Sequence, residues 1–305
     1  MVISINPTYY CNFRCDFCYL TEEQLSDRKK LSLERLSVML SEVTSQYKVD
    51  MVDIYGGEVS LLGKEYWDDL INTIQVYGIT DINLVTNLSA LNEITTDPRV
   101  YTSVSYDFEA REDHERVYRN MALLNKPFSI LMLASKRFLE LDTDHMVQAL
   151  NLLPNLESVE LKPYSSNQSN THTVYYTDFE NKVKSFLMSE KKFFLVNEHL
   201  LETTLNKQRN SFSDDHIYIT PNGRYAVLEF DLNDNEFFLE IDSLQEYQEW
   251  CSKERTRVTK NKFCSSCEYY GHCLSEHLRE VKSLENSCNG FKHLIDWYKN
   301  GRVES

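Results

Sequence analysis

No apolar run in this sequence reaches the roughly 18 residues that a membrane-spanning helix needs. The N-terminus has no basic segment leading into an apolar core, so no secretory signal is visible. Positive charge is also scarce: 32 lysines and arginines stand against 47 aspartates and glutamates, a net charge of −15. That balance excludes the basic field that a nucleic-acid or anionic-membrane surface requires. A basic peptide or a neutral small molecule suits an acidic surface better. No internal repeat or low-complexity tract is present, and no cysteine occurs between residues 19 and 250. These absences predict a cytoplasmic globular protein, in which disulfides are rare and clustered thiols mean metal.

What is present is enough for a substantial core. The 305 residues are 42% hydrophobic and 12% aromatic, which allows one large domain or a domain with a smaller appendage. The first half alternates strand-like and helix-like patterns. "VISI" (2–5), "MVDIY" (51–55), "INLVT" (82–86), "YTSVSY" (101–106), "FSILMLA" (128–134) and "SVELKPY" (158–164) read as strands. Between them, apolar residues recur at helical spacing at 33–47, 65–77, 111–125 and 140–152. Strands separated by helices of this length predict parallel βαβ units, and six of them suggest a partial (β/α)6 TIM-type barrel. Ligands then bind at the C-terminal ends of the strands.

Past residue 178 the rhythm changes. "DFENKVKSFLM" is helical, "HIYITPNGRYAVLEF" (216–230) is a hairpin turning at Pro221-Asn222-Gly223, and "EFFLEI" (236–241) adds a short strand. The polar "SSNQSNTHT" (165–173) is the most linker-like stretch. The expected organisation is a barrel over 1–175 and a small α+β domain over 176–305, with its hairpin at 216–241 and a cysteine cluster at 264–288.

The cysteines lie at the two ends of the chain. Cys11, Cys15 and Cys18 form C-x3-C-x2-C in "NPTYYCNFRCDFCYL". Three thiolates on one short loop can each bind one iron of a 4Fe-4S cluster and leave the fourth iron open to a substrate. The other reading is a zinc ion completed by a distant residue, the nearest histidine being His114. At the far end, Cys264, Cys267, Cys273 and Cys288 can enclose one metal centre completely, either a structural zinc or an iron–sulfur cluster.

The first cysteine loop resembles that of the radical S-adenosylmethionine (radical SAM) enzymes, including an aromatic, Phe17, before the last cysteine. "IYGGEVSLL" is similar to the family's Gly-Gly-Glu-Pro motif, with Val59 in place of proline. The resemblance implies that the open iron chelates S-adenosylmethionine and that electron transfer yields a 5′-deoxyadenosyl radical, which abstracts a substrate hydrogen atom. It implies further that Gly56 and Gly57 let the backbone approach the methionine while Glu58 accepts from its ammonium group. "VTNLSAL" resembles the family's Thr-Asn-Gly loop, giving Asn87 a cofactor contact, with Leu88 where glycine is usual. "SVSYDFEAREDHERVYRN" is similar to a stretch of the subgroup carrying a SPASM domain. By that correspondence Ser105 and Asp107 lie near the ribose and the substrate, Arg119 pairs with the methionine carboxylate, and His114 orients the loop.

SPASM domains carry seven cysteines and two auxiliary clusters. This chain keeps the hairpin without its cysteines: Leu228 stands where one is expected, and His277 takes the fourth position of the C-x2-C-x5-C run. The resemblance therefore implies one auxiliary 4Fe-4S cluster, held by Cys264, Cys267, Cys273 and Cys288. Fully ligated, it would pass an electron or hold the domain together. Cys251 is surplus. It reads either as a small buried residue on an amphipathic helix or as a hydrogen-atom donor to a substrate radical.

The SPASM-carrying subgroup mostly modifies ribosomally made peptides, by crosslink, thioether or epimerisation, and the resemblance implies a peptide substrate here. Dehydrogenation or epimerisation of a small sugar- or aminocyclitol-type molecule is the alternative reading, and a non-catalytic metal-binding module is a remote one. Ten residues precede Cys11, so a leader-peptide-binding module is expected on a separate protein if it exists. A flavodoxin- or ferredoxin-type electron donor is the other expected partner.

Overall fold

The structure, a computed structural model, describes residues 1–164, 174–212, 214–228, 238–274, 288 and 291–302. Residues 165–173, 229–230, 236–237 and His277, which figure in the expectations above, lie outside the described residues. Six strands run parallel and in chain order: β1 (Val2–Ile5), β2 (Met51–Ile54), β3 (Ile82–Thr86), β4 (Tyr101–Ser105), β5 (Phe128–Ala134) and β6 (Leu156–Pro163). A two-residue strand, β7 (Phe194–Leu195), continues the sheet beyond β6.

On the other side of β1, β8 (His216–Ile219) pairs in parallel and carries β9 (Tyr225–Leu228) and β10 (Phe238–Ile241) antiparallel. The hairpin turn is the expected one: Gly223 adopts φ +72°, and its N–H donates to the Thr220 carbonyl at 3.0 Å. The result is one ten-stranded sheet in the order β10-β9-β8-β1-β2-β3-β4-β5-β6-β7. The fold is the partial (β/α)6 barrel with a small C-terminal α+β part that the pattern predicted.

Eleven helices accompany the sheet among the described residues. They are α1 (Glu22–Ser26), α2 (Leu33–Gln46), α3 (Lys64–Gln75), α4 (His114–Leu123), α5 (Lys136–Leu139), α6 (Thr143–Leu150), α7 (Tyr176–Met188), α8 (Val196–Leu205), α9 (Leu244–Lys260), α10 (Lys262–Ser265) and α11 (Lys292–Lys299). Local chemistry sets their starts. The Ser32 side chain caps α2 by accepting from the Arg35 N–H, and Thr21 and Gln24 form a capping box at α1. Among the described residues no helix is long and apolar enough to cross a membrane.

Burial along the strands shows where the core lies. In β2, Val52 and Ile54 are fully buried while Met51 and Asp53 are only partly so. In β3, Leu84 and Thr86 are buried and Asn83 and Val85 are not; in β6, Val159 and Leu161 are buried while Ser158, Glu160 and Lys162 are not. With a period of two, one face of each strand meets the helices and the other faces an open barrel interior. The apolar cores therefore lie outside the barrel. One gathers Ile3, Ile54, Leu84 and Ile217 under α2, α3 and α9; the other gathers Ile130, Val159, Phe186 and Trp297 under α4–α8 and α11. Each large aliphatic buried there contributes about 1.5–3 kcal/mol.

Candidate functional site

The loops at the C-terminal ends of the strands surround a cavity of about 260 Å³. Cys11, Cys15, Phe17 and Cys18 from the β1 loop line it together with Gly56 and Gly57 from the β2 loop, Asn87 after β3, and Ser105 at the end of β4. Residues nearly a hundred positions apart thus meet at one surface, as barrel connectivity requires.

The glycines act first on the protein itself. Gly57 N–H donates to the Thr8 carbonyl at 2.9 Å and Glu58 N–H to the Tyr10 carbonyl at 2.8 Å, pinning the β2 loop to the chain leading into the cysteines. A Cβ on Gly57 would lie 2.2 Å from the Tyr10 oxygen and 2.3 Å from the Tyr9 oxygen. Gly56, at φ +142°, would put a Cβ 2.5 Å from the Thr8 oxygen. Only glycine permits this approach.

Glu58 lies elsewhere than expected. It is fully buried, and its carboxylate accepts from Ser60 N–H at 2.9 Å, Thr86 Oγ1–H at 2.6 Å and Asn87 N–H at 2.7 Å. It does not line the cavity; its negative charge is stabilised by three donors and locks the β2 loop to the β3 loop. In this arrangement it holds the Asn87 backbone in place. Asn87 does face the cavity, and its Nδ2 donates to Asn12 Oδ1 at 3.1 Å and points at Cys11 Sγ from 3.9 Å.

Arg119 is not brought to this cavity. It is exposed on α4, its Nε donating to the Glu115 carbonyl at 3.4 Å, away from the cavity. The cavity's guanidinium belongs to Arg111. Arg111 pairs with Asp107 at 2.6 Å, reaches Cys15 Sγ at 3.6 Å and stacks its cation over the Phe17 ring at 5.1 Å. The signal for it was present: Arg111 stands four residues after Asp107, the spacing that pairs an acid with a base on a turn of helix-like backbone.

Asp107 is fully buried and accepts from the Leu133 N–H at 2.5 Å as well as from Arg111. Burial pushes its acidity down while Arg111 works against that shift. Its carboxylate lies outside the cavity lining and holds Arg111 in position. Cys251 on α9 sits in the apolar cluster outside the barrel with Tyr247, and burial pushes its thiol up to about 11. It lines neither cavity described here and packs as a small residue of the core. Leu88, where glycine was expected, takes that residue's left-handed backbone at φ +48° with its side chain fully buried.

The two cysteine groups have the donor chemistry of metal ligands. Burial pushes Cys11 up to about 11 and Cys15 up to about 12, and raises Cys18 as well. Without a cation the three are neutral thiols, and binding iron releases their protons. Phe13 N–H, Asn87 Nδ2–H and Arg111 Nη1–H already point at two of the sulfurs, as the surroundings of a cysteine-bound cluster would. At the other end, burial raises Cys264 to about 11, and Cys273, Cys288 and Cys267 lie near enough to raise it further. That loop is anchored by Ser211 Oγ–H and Arg209 Nε–H, which donate to the Cys273 carbonyl at 2.6 and 3.1 Å. Both groups have the ligand type of an iron–sulfur site, although among the described residues no three acidic, histidine or cysteine side chains stand close enough together, as placed, to hold a metal ion.

A second cavity of about 650 Å³ fills the barrel interior below the first. Phe17, Tyr19, Tyr55, Leu131, Leu133 and Lys162 line both cavities, so the two are neighbours across a shared rim.

No family profile matches the chain. A stretch of 85 residues, 28% of the chain, is 29% identical to the probable GTP 3′,8-cyclase of Metallosphaera sedula, and it spans about a quarter (26%) of that relative's length. The fold is similar over 92% of the chain to Streptococcus suis SuiB bound to S-adenosylmethionine, covering 74% of SuiB at 16% identity with a TM-score of 0.65. It is similar over 98% of the chain to anSMEcpe with bound AdoMet, covering 95% of that protein at 15% identity with a TM-score of 0.68. A further structure of anSMEcpe, with AdoMet and Kp18Cys peptide, gives a TM-score of 0.69 at 14% identity over 99% of the chain and 98% of that protein. At such identities the likeness is one of fold: the chain has the partial-barrel architecture of these S-adenosylmethionine-binding proteins.

Proposed function

We propose that the chain is a radical SAM enzyme that modifies a peptide through hydrogen-atom abstraction. The observation that carries this reading is the single cavity in which Cys11, Cys15, Cys18, Gly56, Gly57, Asn87 and Ser105 come together. A structural metal site has no need of the Gly-Gly edge and the Asn87–Ser105 wall beside it. Cys11, Cys15 and Cys18 would hold the cluster, which would supply the electron for reductive cleavage of S-adenosylmethionine to methionine and a 5′-deoxyadenosyl radical.

The chain's own residues do the remaining work. Arg111, held by Asp107, brings a positive charge to the Cys15 sulfur and into the cavity, where a methionine carboxylate would find its partner. Gly56 and Gly57 bring bare β2-loop backbone to the cavity wall, and Asn87 and Ser105 line it as well with polar groups. Phe17, Leu20, Leu131 and Leu133 keep the remainder apolar, which excludes water from a reactive species.

Cys264, Cys267, Cys273 and Cys288 are assigned to one auxiliary 4Fe-4S cluster in a SPASM-like part beginning near residue 176. An external flavodoxin- or ferredoxin-type donor supplies electrons. The peptide reading is supported by two neighbours of like fold, SuiB bound to precursor peptide SuiA and anSMEcpe with Kp18Cys peptide.

The test is iron and sulfide content of anaerobically reconstituted protein, with 5′-deoxyadenosine release under reductant. About eight irons, falling to about four when Cys11, Cys15 and Cys18 are all alanine, together with 5′-deoxyadenosine release by the parent only, is the expected result. Full iron loading with no 5′-deoxyadenosine under any reductant would overturn the reading.

A further inference from the structure

The interior face of the barrel is polar where bulky branched residues usually fill such folds. Its groups mostly satisfy one another. Asn83 Nδ2–H donates to Asp53 Oδ1 at 2.8 Å, Ser103 Oγ–H donates to Asn83 Oδ1 at 2.9 Å, and Ser103 and Ser129 hydroxyls meet at 2.7 Å. Ser4 Oγ and His216 Nε2 lie 2.7 Å apart. Lys162 pairs with Glu160 at 2.8 Å.

Asp53 carries a mismatch. It lines the 650 Å³ cavity from β2, yet among the described residues no lysine, arginine or histidine pairs with it; the nearest influence is Lys162, already held by Glu160. Burial raises its pKa, which Asn83 and Lys162 only partly oppose. A carboxylate partly withdrawn from water and without an ion pair costs free energy that an arriving cation recovers. Around it stand aromatic walls suited to a cation and its methylene stem: Tyr55 and Tyr218 meet edge to face at 6.5 Å, and Tyr218 packs against Phe238, which meets Tyr19 at 5.6 Å.

We infer that the barrel interior is a recognition pocket for an alkylammonium group, with Asp53 as its counter-ion. This rests on the proposed function and names the substrate feature that the enzyme selects. The depth is informative. Asp53 lies two residues below Tyr55 on the same face of β2, about 7 Å along the strand at the usual rise, and Tyr55 belongs to the shared rim. An ammonium seated on Asp53 therefore leaves room for three or four bonds before the rim. The attacked carbon lies on that short arm, on a lysine-type side chain of a peptide or on a free amine of similar reach.

The probe is Nα-acetyl-lysine methylamide, compared with its norleucine counterpart and with n-pentylamine, titrated into the full chain by calorimetry at low salt. The expected result is binding of the lysine probe at least tenfold tighter than the norleucine probe. Asp53→Asn, which keeps the acceptor for Asn83, should remove that preference, and Asp53→Glu should retain part of it. Equal binding of the two amino-acid probes by the parent chain overturns the inference without any variant being needed. A preference that survives in Asp53→Asn overturns it equally. Lysine-probe binding tighter than n-pentylamine identifies a peptide as the source, and the reverse order identifies a free amine. Selective binding in a chain that releases no 5′-deoxyadenosine refutes the reaction class and leaves the pocket standing; release without selectivity refutes the pocket alone.

Discussion

Replacing Gly57 by alanine tests how the cofactor cavity is built. The new Cβ would lie 2.2 and 2.3 Å from two backbone oxygens, those of Tyr10 and Tyr9. Neither oxygen belongs to a flexible side chain, so the β2 loop must move away from the cysteine loop. Two hydrogen bonds go with it, Gly57 N–H to Thr8 and Glu58 N–H to Tyr10, worth about 0.5–1.5 kcal/mol each. With the residual overlap, the loss is roughly 3 kcal/mol or more, in the range that marks a specific mechanism rather than an ordinary surface change. Gly63→Ala is the control. Nothing lies within 4 Å of a Cβ there and its φ is −68°, so the stability gained from a stiffer unfolded chain roughly offsets the poorer helix cap. Urea unfolding measures both, and iron content after reconstitution reports whether the cysteine loop still closes. Gly57→Ala with a midpoint like that of Gly63→Ala and full iron loading would refute the account of the glycines.

Three other expectations follow from the same geometry. Arg111→Met leaves Asp107 buried without its cation and should cost about 3–5 kcal/mol, whereas adding Asp107→Asn should return most of it; denaturant unfolding of the single and double variants decides this, and equal losses would contradict the pairing. Cys251→Ala should leave 5′-deoxyadenosine release and product formation unchanged, with a modest drop in thermal stability from the small cavity on α9; loss of product would restore the hydrogen-donor role. Burial alone would raise Asp97, but the Arg99 guanidinium, the Arg99 N–H and the Trp67 indole N–H outweigh it and hold it at about 2. Because the folded pKa is depressed, this carboxylate stabilises the fold above about pH 4 and ceases to as pH falls through 2. Asp97→Asn should therefore be destabilising at pH 7 and converge with the parent between pH 4 and 2 in thermal melts.

Sequence alone was sufficient wherever a property follows from local spacing. The period-two and period-3.6 patterns placed β1–β6 and α2, α3, α4, α6 and α7 to within a few residues, because each element carries its own buried face. The three thiols of the β1 loop and the Gly-Gly pair were legible for the same reason: their chemistry lies in the residues themselves. Glu58, Arg111 and Arg119 were not separable in that way. Which carboxylate is buried under three donors, and which of several arginines turns inward, depends on how the β2, β3 and β4 loops converge. Arg111 enters the cavity because Asp107 holds it at the strand end, while Arg119, two turns of helix further on, faces solvent. Cys251 was a thiol of either use until α9 was seen to pack on the outer face of the sheet. Asp53 reads in sequence as an ordinary polar residue of an alternating strand. Only closing six strands around an interior turns its face inward, and only then does a carboxylate without a cation become a feature of the pocket.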